Sequence, residues 1–179
     1  VLSLNGIVTS KSIAIAGEEL NKNITQYARD VFNLLLGERV AEQIKMKIGS
    51  AVELDTPMTA QMRGRDLLSG LPREIEVNDA QIREAIARSV KAIVDQVKSI
   101  LEITPPELVA DIQQQGIVLT GGTALLRGLD TAISRGTGLP VRVADDTVNC
   151  VVKGTGILLE NDRLLNEIGV SATEMMKGL

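Results

Sequence analysis

Histidine is absent from the 179 residues, and Cys150 is the single cysteine. The first absence excludes Ser-His-Asp triads and His-based metal sites within this chain. The second excludes an internal disulfide and a cysteine-rich zinc site. No apolar run approaches the roughly 20 residues that a membrane-spanning helix needs. An excess of positive charge is also missing. Lysine and arginine number 19 against 23 acidic residues, for a net charge of −4. With no basic stripe, nucleic acid is not an expected partner. There is no secretory signal, so a reduced, cytoplasmic setting is the simplest inference. The motifs G-x-x-x-x-G-K-[ST] and G-x-S-x-G do not occur. Gly136-Thr-Gly138 and Gly154-Thr-Gly156 each lack the third glycine of a dinucleotide fingerprint. Asp145 and Asp146 are adjacent carboxylates at an expected helix start, where such residues cap rather than catalyse.

The composition that remains is that of a globular protein, 44% hydrophobic and 23% charged, long enough for one sizeable domain or two small lobes. One stretch organises it: Ile117-Val118-Leu119-Thr120-Gly121-Gly122-Thr123-Ala124, continuing to Gly128. An aliphatic run stopped by paired glycines reads as a short buried strand arriving at a tight turn, with the first turn of a helix beyond it. Glycine lets a ligand approach the main chain closely, and a helix start aims free N–H groups at the same spot. The same residues equally describe a strand-to-helix turn with no ligand.

Upstream, Val1–Ala16 reads as two or three antiparallel strands turned at Asn5-Gly6. Helices are expected over Glu18–Leu36 and Glu38–Ile48, stopped by Gly37 and Gly49. The second places Glu42 and Lys45 one turn apart on one face, either as a solvated pair or as the polar wall of a ligand site. Thr59–Leu68 and Leu71–Val77 read as paired strands whose exposed Arg63, Arg65, Glu74 and Glu76 form cross-strand pairs or a contact surface for another subunit. Asn78, with Gln81 placed for a capping box, opens a long helix to about Ile103 whose stripe runs Ile82, Ile86, Val90, Ile93, Val97 and Ile100. A short helix comes next, from Pro106 to Gln114.

Beyond the glycine turn, a helix is expected over Leu129–Arg135, broken by Gly136 and Gly138, and then a strand over Pro140–Val143. A last helix runs from Val148 to about Glu160, capped by Asp145-Asp146-Thr147. Gly154 and Gly156 inside it suggest that its backbone packs closely on a strand or a ligand. Cys150 is expected to be a small core residue. Residues 161–179 form a tail helix or fray. Val1 lies inside an expected strand with no initiator methionine, so the chain is expected to begin within a longer protein.

Several of these stretches, in order, resemble the MreB family of bacterial actin homologues. They are Gly6-Ile-Val-Thr-Ser-Lys-Ser-Ile13, Leu36-Gly-Glu-Arg39, Ile44-Lys-Met-Lys-Ile-Gly-Ser-Ala51, Arg63-Gly-Arg-Asp66, Thr104-Pro-Pro-Glu-Leu108, Gly116-Ile-Val-Leu-Thr-Gly-Gly122 and Leu125-Leu-Arg-Gly-Leu-Asp130, with Thr137-Gly-Leu-Pro140 after them. The resemblance covers about residues 1–160. It implies an α/β fold: the second, RNase-H-like lobe of an actin-like ATPase with a small α+β outer subdomain. Residues 1–48 and 78–160 would be the inner part, 49–77 the outer part and 161–179 a tail.

By the same resemblance, Gly121, Gly122, Thr123 and Ala124 would line a cleft for ATP or ADP with Mg²⁺. Glu42, Gln43, Ile44 and Lys45 would face its ribose and adenine side. Members of the family usually carry a third glycine at the place of Thr123, an acidic residue at that of Gln43 and a glycine at that of Asn5. The phosphate hairpins and the metal-holding carboxylates would precede Val1. This chain therefore contributes no catalytic and no metal residues, and alone should not hydrolyse ATP. The whole protein would polymerise into filaments at the inner face of the cell membrane, attached through the missing lobe. There it would work with the membrane-bound cell-wall elongation machinery to maintain rod shape. The alternatives are a sugar kinase or chaperone ATPase of the same superfold, and a diverged structural subunit that binds no nucleotide.

Overall fold

The computed structural model describes residues 1–3, 6–161 and 163–164. Asn5 and most of the expected tail lie outside the described residues. Strands β1 (Leu2–Ser3) and β2 (Gly6–Ile7) form a short antiparallel hairpin with Leu2 opposite Ile7. No further strand is formed before Ala16 among the described residues.

Helix α1 (Gly17–Phe32) buries Leu20, Ile24 and Ala28 at four-residue steps. It stops before the expected Leu36, because Asn33 takes the left-handed conformation (φ 51°) and its N–H returns to the carbonyls of Ala28 and Arg29. Asparagine tolerates that conformation as few residues other than glycine do. The leucines beyond it leave the helix and become β3 (Leu34–Leu35), which pairs antiparallel with β4 (Thr59–Asp66). Helix α2 (Glu38–Ile48) has the expected bounds and buries Ala41, Ile44 and Ile48.

Strands β4 and β5 (Pro72–Asn78) complete a three-stranded sheet in the order β3-β4-β5. Ala60, Met62 and Val77 point inward, while Arg63 pairs across to Glu74 at 3.1 Å on the outer face. At Gly64 a Cβ would stand 2.5 Å from the Leu35 carbonyl, so only glycine lets β3 lie this close. The sheet thus joins residues 34–35 to residues 59–78, on opposite sides of the boundary expected at residue 49. Among the described residues one core cluster runs from Leu20 to Ile133.

The β4–β5 corner is organised by Asp66. Its carboxylate accepts from the N–H groups of Leu68 and Ser69, from the Ser69 hydroxyl and from Arg73 at 2.8 Å. The Ser69 N–H chiefly, then the Arg73 guanidinium, hold its pKa down at about 2. A carboxylate with a depressed folded pKa stabilises fully above its unfolded value and loses that contribution as pH falls through the folded value. Asp66→Asn is therefore expected to lower Tm at neutral pH. The gap to the parent protein should close as pH falls from about 4 to about 2, followed by circular dichroism melts across that range.

Helix α3 (Asp79–Ile103) opens with the expected capping box between Asn78 and Gln81. Only the first half of its stripe, Ile82, Ile86 and Val90, is fully buried; Ile93, Val94 and Val97 pack on the core while half exposed. Helix α4 (Pro106–Gln115) leads through Gly116 into β6 (Ile117–Leu119), which pairs in parallel with β7 (Val141–Val143). Helix α5 (Leu129–Thr137) connects them, as a parallel pair requires a crossover. Gly136 does not break this helix. It lies inside it, where a Cβ would stand 2.3 Å from Val94, and so brings α5 against α3.

Helix α6 (Cys150–Leu159) departs from expectation in two ways. Outside the helix's own backbone, no described atom lies within 4 Å of where a Cβ would stand on Gly154 or Gly156, and no residue of α6 is buried. The close backbone packing expected of those glycines is not made by the described residues. Cys150 is half-buried rather than in the core, with its thiol 3.1 Å from the Asp146 carbonyl. The Asp145–Asn149 stretch is a turn, and the helix opens at Asn149 without a side-chain cap.

Candidate functional site: a groove between α1, α2 and the glycine turn

The glycine turn is held from behind. Gly121 has φ +85°, which favours glycine, and its N–H donates to the Thr147 carbonyl at 2.7 Å. The Thr147 side chain is buried, and its hydroxyl reaches the carbonyls of Leu119 (3.4 Å) and Gly121 (3.3 Å). The next residues, Gly122–Leu125, make a single 3-10 turn and not the start of an α-helix. The chain straightens at Leu126, and α5 starts only after Gly128, whose φ is +71°.

In front of this turn lies a groove of about 640 Å³. Gly122, Thr123 and Leu125 form one wall. Glu42, Lys45 and Met46 of α2 form another, and Gly17 at the start of α1 closes the end between them. The Lys45 ammonium donates to the Gly17 carbonyl at 2.9 Å. Burial lowers its pKa from the usual lysine value, and the Glu42 carboxylate works against that shift. A Cβ on Gly17 would stand 3.3 Å from Lys45 Nζ and 3.5 Å from Thr123 Oγ1, so three separate segments meet at this glycine. Beyond Gly17, Glu42 and Lys45 a second hollow of about 580 Å³ continues, bounded by Ile13, Ala14 and Lys22.

The groove is open where a ligand would need it to be. Among the described residues, no atom beyond the adjacent residues lies within 4 Å of a Cβ built on Gly121 or Gly122. Gly122 does not have a positive φ, so neither its conformation nor a packed neighbour requires glycine there. Met46, Leu125 and Val148 add exposed apolar surface to a rim that also carries a carboxylate and an ammonium. Apolar walls with a few placed polar groups are what an amphipathic ligand such as a nucleoside requires.

Of the eight residues that the sequence nominates, Glu42, Lys45, Gly122 and Thr123 come together on this groove. Gly121 adjoins the lining through Gly122 without being part of it. Ala124 is buried under the turn. The Ile44 side chain is 3% exposed and packs in the core, and Gln43 is exposed away from the groove lining. Sequence reasoning missed Gly17, whose signal was a glycine opening a helix after an apolar stretch. It also missed Thr147, which no local pattern ties to Gly121. Among the described residues no group of three or more acidic, histidine or cysteine side chains could hold a metal ion. No helix among them is long and apolar enough to cross a membrane.

This α/β lobe, with its glycine turn facing a helix across a groove, has the actin-like fold. The fold alone is shared with the MamK double helical filament, 20% identical at a TM-score of 0.58 over 76% of this chain and 42% of that one. The family model for MreB/Mbl protein matches residues 1–167, and the chain belongs to that family. It is 45% identical to the cell shape-determining protein Mbl of Bacillus subtilis over 161 residues, 90% of this chain and 48% of the relative. It is also 45% identical to the cell shape-determining protein MreB of Escherichia coli over 160 residues, 89% of this chain and 46% of that protein. The crystal structure of MreB5 of Spiroplasma citri bound to ADP superposes with a TM-score of 0.83 at 38% identity, covering 89% of this chain and 48% of that one. The chain spans about half the length of the curated relatives it matches.

Proposed function

We propose that this chain is the nucleotide-facing half of an MreB-type cytoskeletal ATPase. The observation that carries the reading is the single groove bounded on one side by Gly122 and Thr123 and on the other by Glu42 and Lys45. An adenine nucleoside fits this lining. Glu42 and Lys45 offer an acceptor and a donor to the ribose hydroxyls, and the main chain from Gly121 to Ala124 runs beside the base and sugar. Structures of a relative, MreB5, with ADP and with AMPPNP support the ligand class. By the family resemblance, Mg²⁺ and the attacking water would be held by the other half of the protein.

The full-length protein would bind and hydrolyse ATP and polymerise with itself. It would act at the inner face of the cell membrane with the cell-wall elongation machinery, setting rod shape. An inner and an outer subdomain are part of this proposal. The inner part would span residues 1–48 and 78–160 and the outer part 49–77, with Leu34 and Leu35 of the one pairing with β4 of the other.

The test is nucleotide affinity of the full-length protein, followed with a fluorescent ATP analogue. Lys45→Ala is expected to weaken binding about tenfold, the effect of losing one charged hydrogen bond in a partly buried site. Glu42→Ala should cost somewhat less, its side chain being more exposed. Parent-like affinity in both variants rejects the site.

A further inference from the structure

The two walls of the groove belong to segments far apart in the chain, and one side chain joins them. Arg127 comes just after the glycine turn. Its Nη1 donates to the carbonyl of Met46 at 3.1 Å and approaches that of Gly49 at 3.5 Å, at the C-terminal end of α2. A cation at that end meets the negative pole of the helix and its unpaired carbonyls. The main chain continues the junction. The Ala51 N–H donates to the Arg127 carbonyl at 2.7 Å, and Ser50 bridges in parallel to Arg127.

Packing brings the two segments close at this junction. A Cβ on Gly128 would stand 2.3 Å from Val52, and one on Gly49 would stand 2.4 Å from the Lys45 carbonyl and 3.2 Å from Leu126. Residues 126–128 and 49–52 are thus seated on each other at the base of the groove. Lys45 lies one turn before this junction on α2, and Gly122 lies just before it on the other strand of chain.

We infer that Arg127 is a positioning residue that sets the separation between the Lys45 wall and the Gly122 wall, and so the affinity of the groove for a nucleoside. The inference rests on the nucleotide reading of the site. Arg127 acts through the end of α2: its Nη1 is directed to two carbonyls of that helix end. Losing it frees the Met46 and Gly49 carbonyls and lets the last turn of α2 shift, while Ala41 and Ile44 before that turn's end keep the helix seated in the core.

The experiment uses the full-length protein with Arg127→Met, which keeps the aliphatic stem, and Arg127→Lys, which keeps the charge. Kd is measured for ADP and for ATP with magnesium, and amide exchange is followed over residues 46–52. Arg127→Met should weaken both nucleotides about tenfold by the same factor and speed exchange at the end of α2. Arg127→Lys should recover most of the affinity, because an ammonium can still donate to the same carbonyls. If Arg127→Met does not fold, Arg127→Lys is read alone, and a uniform loss of about threefold is expected.

Unchanged affinity in every folded variant overturns the inference. So does a loss that grows from ADP to ATP, because the guanidinium would then be touching phosphate itself. A parent protein that binds no nucleotide, or one indifferent to Gly122→Leu, sinks the site reading. Binding that Gly122→Leu blocks but Arg127→Met leaves alone sinks only the role of Arg127.

Discussion

Gly122→Leu is expected to leave the fold standing and to abolish measurable nucleotide binding by the full-length protein. The fold tolerates the change because a Cβ at this position meets no non-adjacent atom of the described residues within 4 Å and the residue does not occupy the left-handed region. Gly122 lines the groove, and the leucine side chain is expected to occupy it. Overfilling a well-fitted site costs about 1–3 kcal/mol, which is roughly 5- to 150-fold in affinity. A leucine standing where the nucleoside lies belongs at the upper end. The measurement is the rise in Tm at saturating ATP with magnesium, which mass action places at about 2.7 kcal/mol of stabilisation at a hundredfold excess over Kd. That rise should vanish in the variant, while the ligand-free Tm stays where it was. An undiminished rise would remove Gly122 from the cleft. The neighbouring Gly121→Leu would not serve, because φ +85° strains any side chain there and would confound folding with binding.

The largest loss of stability is expected from Asp79→Ala. Asp79 is 5% exposed and stands at the first turn of α3. One carboxylate oxygen accepts the Met58 N–H at 3.0 Å, and the other accepts Arg83 at 2.9 Å. Arg83 in turn reaches the Ser50 hydroxyl at 3.2 Å and the Val52 carbonyl at 3.3 Å, so the 50–58 loop is anchored to α3 through this pair. The Met58 N–H chiefly, and then Arg83, hold the Asp79 carboxyl below the usual range against the opposing effect of burial. Removing one partner of a buried pair costs about 3–5 kcal/mol, because the other charge is left without compensation. Arg83 keeps two neutral acceptors, which places the expected cost near about 3 kcal/mol. Asp79→Asn retains an acceptor for Met58 and should cost about 1–2 kcal/mol. Urea unfolding reads both values, and an unchanged m shows that the unfolded ensemble is the same. A loss under about 0.5 kcal/mol for Asp79→Ala would mean that the pair adds nothing beyond a surface contact.

Legibility tracked the range of the interactions. The bounds of α2 and the capping box at Asn78 and Gln81 are set within a single turn of helix, and the sequence shows them directly. The end of α1 does not depend on local pattern alone. Leu34 and Leu35 continue a helical stripe, yet pairing with β4 and a left-handed Asn33 take them into the sheet. The same distinction runs through the site. A three-residue spacing puts Glu42 and Lys45 on one face of a helix, and both reach the groove. Ile44 stands about 100° from its neighbour Lys45 around the helix axis, so its side chain is committed to the core.

The sequence by itself determined the family, the elements whose ends are closed by local caps, and the glycine pair that bares its main chain. These depend on residue type and short spacing, which survive in one dimension. The tertiary structure alone decided that Gly17, Lys45 and Thr123 converge, that Thr147 braces the turn from behind, and that Arg127 ties the two walls together. Those contacts join residues separated by long stretches of chain, and nothing in the local pattern of either partner specifies the other. Their geometry exists only once the shared core has brought α1, α2 and the glycine turn side by side.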